Sequence, residues 1–223
     1  MQCVLICHSF NEWRVRRGAV VNQQEGTMKK INLAIIVLLM MIIQSCADVN
    51  TPTVNETSNE IIPLAVGNTW NYHTTLYDTT GNVFTDFNNS NKIVGDTTIQ
   101  NINWFYYDKN ALYFSIFQDG FHIYDPYKTD SLRDQLNFKY PCSVGDKYSY
   151  YEVVKIDTQI TVPAGTFSCI MYSLRMQTSM DFAFIDFFIK PGVGNIKTIE
   201  YSYTENYPLF TYRISELLGA SLY

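Results

Sequence analysis

From Thr69 to the C-terminus, apolar and polar residues alternate along most of the chain. In Thr69–Tyr77, Trp70, Tyr72, Thr74 and Leu76 fall on one face, and Asn71, His73 and Thr75 on the other. In Leu209–Glu216, Phe210, Tyr212 and Ile214 oppose Thr211, Arg213 and Ser215. This period of two predicts strands. Ala111–Phe117 differs. Tyr113 and Phe117 point one way and Leu112, Phe114 and Ile116 the other, so both faces are apolar. Such a strand is either sandwiched or borders a cavity. Turn chemistry separates the runs. Asp78–Gly81 has Asp first and Gly fourth, Asp119-Gly120 is a compact hairpin signal, and Val162–Gly165 combines Pro with a closing Gly. Further strands are predicted at Asp181–Ile189 and Asn195–Tyr203. No long segment has a 3.6-residue period, and only Tyr127–Leu136 has room for a helical turn. The pattern predicts about ten strands in an all-β, antiparallel meander over residues 61–223, closed into a curved sheet or barrel-like sandwich.

The pattern ahead of this domain is of another kind. Met28-Lys29-Lys30 precedes Ile31–Ile43, apolar but for Asn32, and then comes Gln44-Ser45-Cys46. A basic start, a short apolar run and a small residue form a signal peptide. The run is too short to span a bilayer as a mature helix, which needs about 20 residues. Ile43-Gln44-Ser45-Cys46 resembles the lipobox of bacterial lipoproteins, with Gln44 departing from the usual small residue. The resemblance implies cleavage before Cys46 and lipidation of its thiol. Residues 28–45 are then the signal, and residues 46–60 the lipidated cysteine and its tether. Ala47–Glu60 has no aromatic residue and two large aliphatics, Val49 and Val54, too little apolar surface to fold. Residues 1–27 precede the basic start and read as an N-terminal extension, with Met28 as the expected start. Cys3 and Cys7 lack the second ligand pair that a zinc site needs.

Processing changes the charge. Lys plus Arg falls from 16 to 11 and Asp plus Glu from 21 to 19, so the net charge moves from −5 to −8. That balance excludes a basic nucleic-acid footprint and attraction to anionic headgroups, which leaves the lipid as the membrane contact. Aromatics are 15% of the chain, and all 17 tyrosines follow Cys46, a loading that favours strands.

An internal echo runs through the domain. Pro63, Val66, Gly67, Asn68, Trp70 and Tyr72 recur as Pro141, Val144, Gly145, Asp146, Tyr148 and Tyr150, at a constant offset of 78 residues. It predicts two similar halves, each opened by a Val-Gly-Asn/Asp turn, with Trp70, Tyr72, Tyr148 and Tyr150 in the core. PLAVGNTWNY (63–72), VPAGTFSCIMY (162–172) and KPGVGNIK (190–197) resemble, in order, the P-L-x-V-G-x-x-W-x-Y, V-P-A-G-T-F and A-P-G-V-G-x-V-K segments of a broad group of uncharacterised bacterial lipoproteins. Lys190 replaces the group's usual Ala. The resemblance covers about residues 61–203 and implies an exported β-rich domain. It supplies no catalytic residues.

Candidate chemistry is sparse. There is no H-E-x-x-H, G-x-S-x-G, P-loop or G-x-G-x-x-G, and Gly192-Val-Gly194 has no helix behind it to cradle a phosphate. No cofactor or metal is implied. His73 and His122 are the two histidines after Cys46, and either with a carboxylate would define an envelope hydrolase, the enzyme alternative. Asp125, Asp130 and Asp134 border one loop without EF-hand spacing and read as a solvated acidic loop. Cys142 and Cys169 have a disulfide open to them in an oxidising envelope, but Cys142 echoes Leu64, an apolar position that favours a buried thiol. Tyr113 and Phe117 are the candidate ligand-binding residues. The expected function is a lipid-anchored envelope protein, with the outer membrane favoured, acting as a non-enzymatic binding or assembly module. Its partner would be an apolar or glycan ligand inside the barrel, or an envelope protein on an outer face or edge strand.

Overall fold

A computed structural model describes residues 60–108, 112–128, 134–177, 182–204 and 207–223. The signal peptide, Cys46, the tether up to residue 59 and Asp130 lie outside them. The domain is all-β. Its twelve strands are β1 (Thr69–Tyr77), β2 (Val83–Ile99), β3 (Ile102–Tyr107), β4 (Tyr113–Phe117), β5 (Gly120–Tyr124), β6 (Asp134–Lys139), β7 (Lys147–Tyr148), β8 (Tyr151–Val162), β9 (Gly165–Gln177), β10 (Phe182–Lys190), β11 (Gly194–Thr204) and β12 (Tyr207–Ser221). All pairings are antiparallel between sequence neighbours, except that β1 also pairs with β12. The sheet order is therefore β6 to β1, then β12 back to β7. Two six-stranded meanders join at β1–β12 and curl into a nearly closed barrel. Twelve strands replace the expected ten or so, because short β6 and β7 lack a long alternating run. Asp134–Leu136 belongs to β6, so a helical turn does not extend to Leu136.

The echo is a repeated piece of backbone. The Gly67 N–H donates to the Ile93 carbonyl at 2.8 Å, and the Ile93 N–H returns to the Asn68 carbonyl at 2.9 Å. Gly145, Val153 and Asp146 make the same two bonds at 2.8 and 2.9 Å. Both glycines have positive φ, +101° and +88°, where a side chain is disfavoured. Ile93 and Val153 are completely buried. The copies then diverge. The first launches nine residues of β1, whereas β7 stops at Tyr148 and turns through Ser149 at φ +48°. That turn puts Tyr150 in solvent, 55% exposed, which corrects its placement in the core. Trp70 and Tyr72 are buried, and Tyr148 is half-buried.

Directly paired residues share a face of the sheet, and the inner face is largely aromatic. Ring contacts run from Trp70 through Tyr107, Phe114, Phe121 and Phe138 to Tyr172 and Phe187, with centroid separations between 4.6 and 6.2 Å. Phe138 thus ties β6 to β9 and β10 across the interior. Among the described residues no strand pairing joins β6 to β7. Tyrosine hydroxyls bridge the gap. Tyr148 Oη accepts from the Lys139 N–H and donates to the Asn137 carbonyl, both at 3.0 Å. Tyr172 Oη donates to the Lys139 carbonyl at 2.7 Å, and Asn137 Nδ2 donates to Tyr151 Oη at 3.0 Å. Burial pushes the Tyr148, Tyr151 and Tyr172 phenols up, Tyr151 to about 12, so they stay neutral and able to donate.

At the end of the barrel where β1 begins, hereafter the near end, Ile61 and Ile62 are buried as a plug. Trp70 Nε1 donates to the Val193 carbonyl at 2.6 Å, and Tyr72 Oη to the Asn195 carbonyl at 3.0 Å. The Gly192 N–H bonds the Glu60 carbonyl at 2.8 Å. Segments 63–72 and 190–197 therefore dock on each other, since a buried indole N–H needs an acceptor. Segment 162–172 reaches β12 through the Ala164 N–H and the Leu217 carbonyl, at 3.1 Å.

Candidate functional site

Among the described residues, two hollows on the barrel bear on function. The first is a polar pocket of about 290 Å³ on the concave inner face. Its position follows from register. Tyr72 and Thr74 on β1 oppose Asn89 and Phe87 on β2, while Thr74 and Leu76 oppose Ser215 and Arg213 on β12. Ser215 and Arg213 in turn oppose Thr198 and Glu200 on β11, and Thr198 opposes Phe187 on β10. Asn91 and Asn195 complete the lining. Thr74 Oγ1 donates to Asn89 Oδ1 and also contacts Ser215 Oγ, each at 2.9 Å. Asn195 Nδ2 donates to Thr198 Oγ1 at 2.8 Å, while its buried Oδ1 has no partner among the described residues. Arg213 donates to one oxygen, Glu200 Oε1, through Nε at 2.8 Å and through Nη2, a charge pair that leaves little net charge. The pocket thus presents amides and hydroxyls beside two phenyl rings, at near-neutral charge.

The second hollow, about 510 Å³, lies at the near end between the Glu60–Ile61 segment, the end of β4 and the Tyr140-Pro141 link. Ile116, Phe117, Gln118 and Gly120 form the rest of its wall. Ile116 and Tyr140 are packed against the core cluster, and Ile61 is completely buried. Apolar surface dominates the lining.

The candidate pair separates. Phe117 lines the near-end cavity, 5.8 Å from Trp104 and 4.5 Å from His122 between ring centroids. Tyr113 lies away from it, packed edge-on against Tyr106 and Tyr124 on the outer face. β4 is sandwiched as its two apolar faces require: Phe114 packs in the core, and Tyr113 and Phe117 join an outer cluster with Trp104 and Tyr124. The polar pocket had no sequence signal: Ser215 falls on the polar face of Leu209–Glu216, and Asn89 and Asn91 lie in a polar stretch without apolar alternation.

The histidines stand apart from both polar lining and barrel interior. His73 Nδ1 meets Asn88 Oδ1 at 2.9 Å, opposite the Trp70 face. His122 is held between two carboxylates, Nδ1 to Asp134 Oδ1 at 2.7 Å and Nε2 to Asp119 Oδ1 at 2.9 Å. Each ring nitrogen thus has a carboxylate oxygen within hydrogen-bond distance. Asp125 accepts from the Tyr127 N–H at 2.9 Å. Among the described residues no group of three or more His, Cys, Asp or Glu could hold a metal ion. Cys142 and Cys169 are both free thiols. Burial pushes Cys169 up to about 12 and raises Cys142, which keeps them protonated and poorly nucleophilic at neutral pH.

No protein-family model matches the chain, and no curated protein matches it. Two solved structures are similar to it. One is a protein provisionally named a lipoprotein from Parabacteroides distasonis ATCC 8503, at 16% identity and a TM-score of 0.39, covering 73% of this chain and 98% of that one. The other, provisionally named an exported protein with a YmcC-like fold, comes from Bacteroides fragilis NCTC 9343, at 12% identity and a TM-score of 0.38, covering 72% and 98%.

Proposed function

We propose that the chain is a lipid-anchored cell-envelope protein, favoured at the outer membrane, whose barrel binds a neutral, hydroxyl-rich ligand such as a glycan without turning it over. The observation that carries this is the polar pocket. Amides and hydroxyls that both donate and accept, set beside Phe87 and Phe187, match a ligand with many hydroxyls and an apolar ring face. The Glu200–Arg213 pair is already neutralised, so an anionic ligand has no free cation to meet there. The basic start, apolar run and lipobox-like Ile43–Cys46 support the anchor. The non-enzymatic reading is supported by His122, whose two ring nitrogens both face carboxylates, Asp119 and Asp134.

Glycan-array screening of the purified protein tests this. Wild type should retain one class of neutral saccharide, and Asn89→Ala and Arg213→Ala should lose it while their melting temperatures stay near wild type. A folded wild type that retains no saccharide, or product release abolished by His122→Ala, would refute the proposal.

A second reading has its own observation. Val83–Asn89 of β2 pairs with β1 on one side, while β3 takes up pairing only from Ile93. The other side of that stretch carries no strand among the described residues, and Phe84 beside it is 76% exposed. An edge of this kind suits strand addition by a partner protein. Phe84→Lys should abolish capture of such a partner from envelope extracts and leave saccharide binding intact.

A further inference from the structure

We infer that the polar pocket captures the end of a neutral glycan chain, with the terminal sugar against Phe187 and the rest of the chain leaving past Phe87, an inference that rests on the saccharide reading of that pocket. Three observations lead there.

The first is a row set by register. Phe87 on β2 pairs directly with Thr74 on β1, and Thr74 with Ser215 on β12. Ser215 pairs with Thr198 on β11, and Thr198 with Phe187 on β10. Five residues on five adjacent strands thus form one line across the inner face, three hydroxyls between two phenyl rings, and all five line the pocket. Neighbouring strands lie about 4.8 Å apart, so the line runs roughly 19 Å along the sheet. A pyranose ring is about as long as one strand spacing and can meet only one of the two phenyl rings. A chain lying across the strands meets both. The sheet is concave here, which shortens the path above the row to about three sugar units.

The second is the hydrogen bonding along that row. Thr74 gives its one hydroxyl hydrogen to Asn89 Oδ1, so Ser215 must supply the hydrogen in the 2.9 Å contact with Thr74. That leaves the lone pairs of Ser215 Oγ as acceptors, and it turns the Asn89 amide nitrogen, a donor, away from Thr74. The middle of the row therefore offers an acceptor on β12 beside a donor on β2, a pairing suited to the hydroxyls of one sugar.

The third is that the two ends differ. Beyond Phe187 the same line continues to Tyr172 and Val153, both completely buried. Phe138 packs against Phe187 and Tyr172, with ring centroids 5.2 Å from each. That end is closed by the core. At the other end Phe87 is 45% exposed, and the far side of Val83–Asn89 carries no strand among the described residues. A chain can leave over that edge, whereas its tip stops at Phe187. Such a pocket takes a terminus and excludes the interior of a long chain.

Titration calorimetry of the full chain tests the inference, because it returns both affinity and the number of proteins per glycan. The probes are linear neutral glucans, mannans, galactans and N-acetylglucosamine oligomers of one, three, six and twelve units. In the series that binds, affinity should rise from one unit to three and then level off, with one protein per chain even at twelve units. Phe87→Ala should weaken three-unit chains about fivefold to tenfold, toward the affinity of the single sugar, with the melting temperature unchanged. Several proteins on a twelve-unit chain would overturn end capture and leave saccharide binding standing. Equal affinity for one and three units would do the same, as would a Phe87→Ala variant that binds three-unit chains like wild type. No binding in any series overturns both.

Discussion

The phenolic oxygen of Tyr148 lies 3.0 Å from the backbone nitrogen of Lys139, on the facing edge of the barrel's open seam. The same oxygen donates to the Asn137 carbonyl. One side chain thereby occupies the N–H and C=O groups that a neighbouring strand would otherwise use. An unpaired edge is a liability in a sheet protein, and β7, two residues long, is too short to cover β6.

Tyr148→Phe keeps the ring and removes both bonds. Leaving buried backbone groups unpaired costs about 1–3 kcal/mol, so the melting temperature should fall by several degrees. Hydrogen exchange at the Lys139 amide should speed up more than at amides within the β11–β12 ladder. An unchanged Lys139 amide would show that the seam does not depend on this hydroxyl.

Trp70 is 2% exposed and ties β1 to the 190–197 turn through its indole N–H. Trp70→Ala should cost about 3–5 kcal/mol, enough to unfold much of the protein at moderate temperature. Trp70→Phe retains most of the apolar area and loses the bond to Val193, so it should cost less. Chemical denaturation of the pair measures both.

Gly120 and Gly81 make a contrasting pair. Both have positive φ, but a Cβ on Gly120 would overlap the Phe138 carbonyl, whereas one on Gly81 meets nothing within 4 Å. Gly81→Ala should cost about 1 kcal/mol, the strain of the backbone alone. Gly120→Ala must push β6 away from β5 and should cost several times as much, read as a much larger drop in melting temperature.

Alkaline pH should unfold the protein cooperatively. Burial raises the phenols of Tyr72, Tyr107, Tyr148, Tyr151 and Tyr172. In the unfolded chain they ionise near pH 10. Above that pH the unfolded state binds fewer protons than the folded one, so stability falls as pH rises. For Tyr151, pushed to about 12, the loss accumulates between about pH 10 and 12. Absorbance at 295 nm should rise in two stages, exposed tyrosines first and buried ones with unfolding. A single smooth titration with the fold retained would contradict the burial.

The anchor has a direct check. Metabolic labelling with a fatty-acid analogue should tag the wild type and leave Cys46→Ala untagged. Equal labelling of both would remove Cys46 as the lipid site.

The strands were legible because alternation is local. Trp70, Tyr72 and Thr74 alternate with polar neighbours, and β1 buries that face. Turns such as Asp78–Gly81 are equally local: Asp78 accepts from the Thr80 and Asn82 N–H groups at 2.9 and 3.0 Å, bonds set by sequence neighbours alone. The echo of Val-Gly-Asn and Val-Gly-Asp marked two halves because each turn needs the same positive-φ glycine. What became of the two turns was decided elsewhere. Tyr72 and Tyr150 hold equivalent places in the echo, yet one is buried and the other in solvent, since only the first turn leads into a strand flanked by partners on both sides. The polar pocket was likewise invisible, because alternation assigns polar residues to a face but cannot say that β1, β2, β11 and β12 will turn Thr74, Asn89, Thr198 and Ser215 toward one another. Register between β1 and β12, strands more than a hundred residues apart in sequence, brings those side chains together, and no local stretch of sequence encodes that pairing.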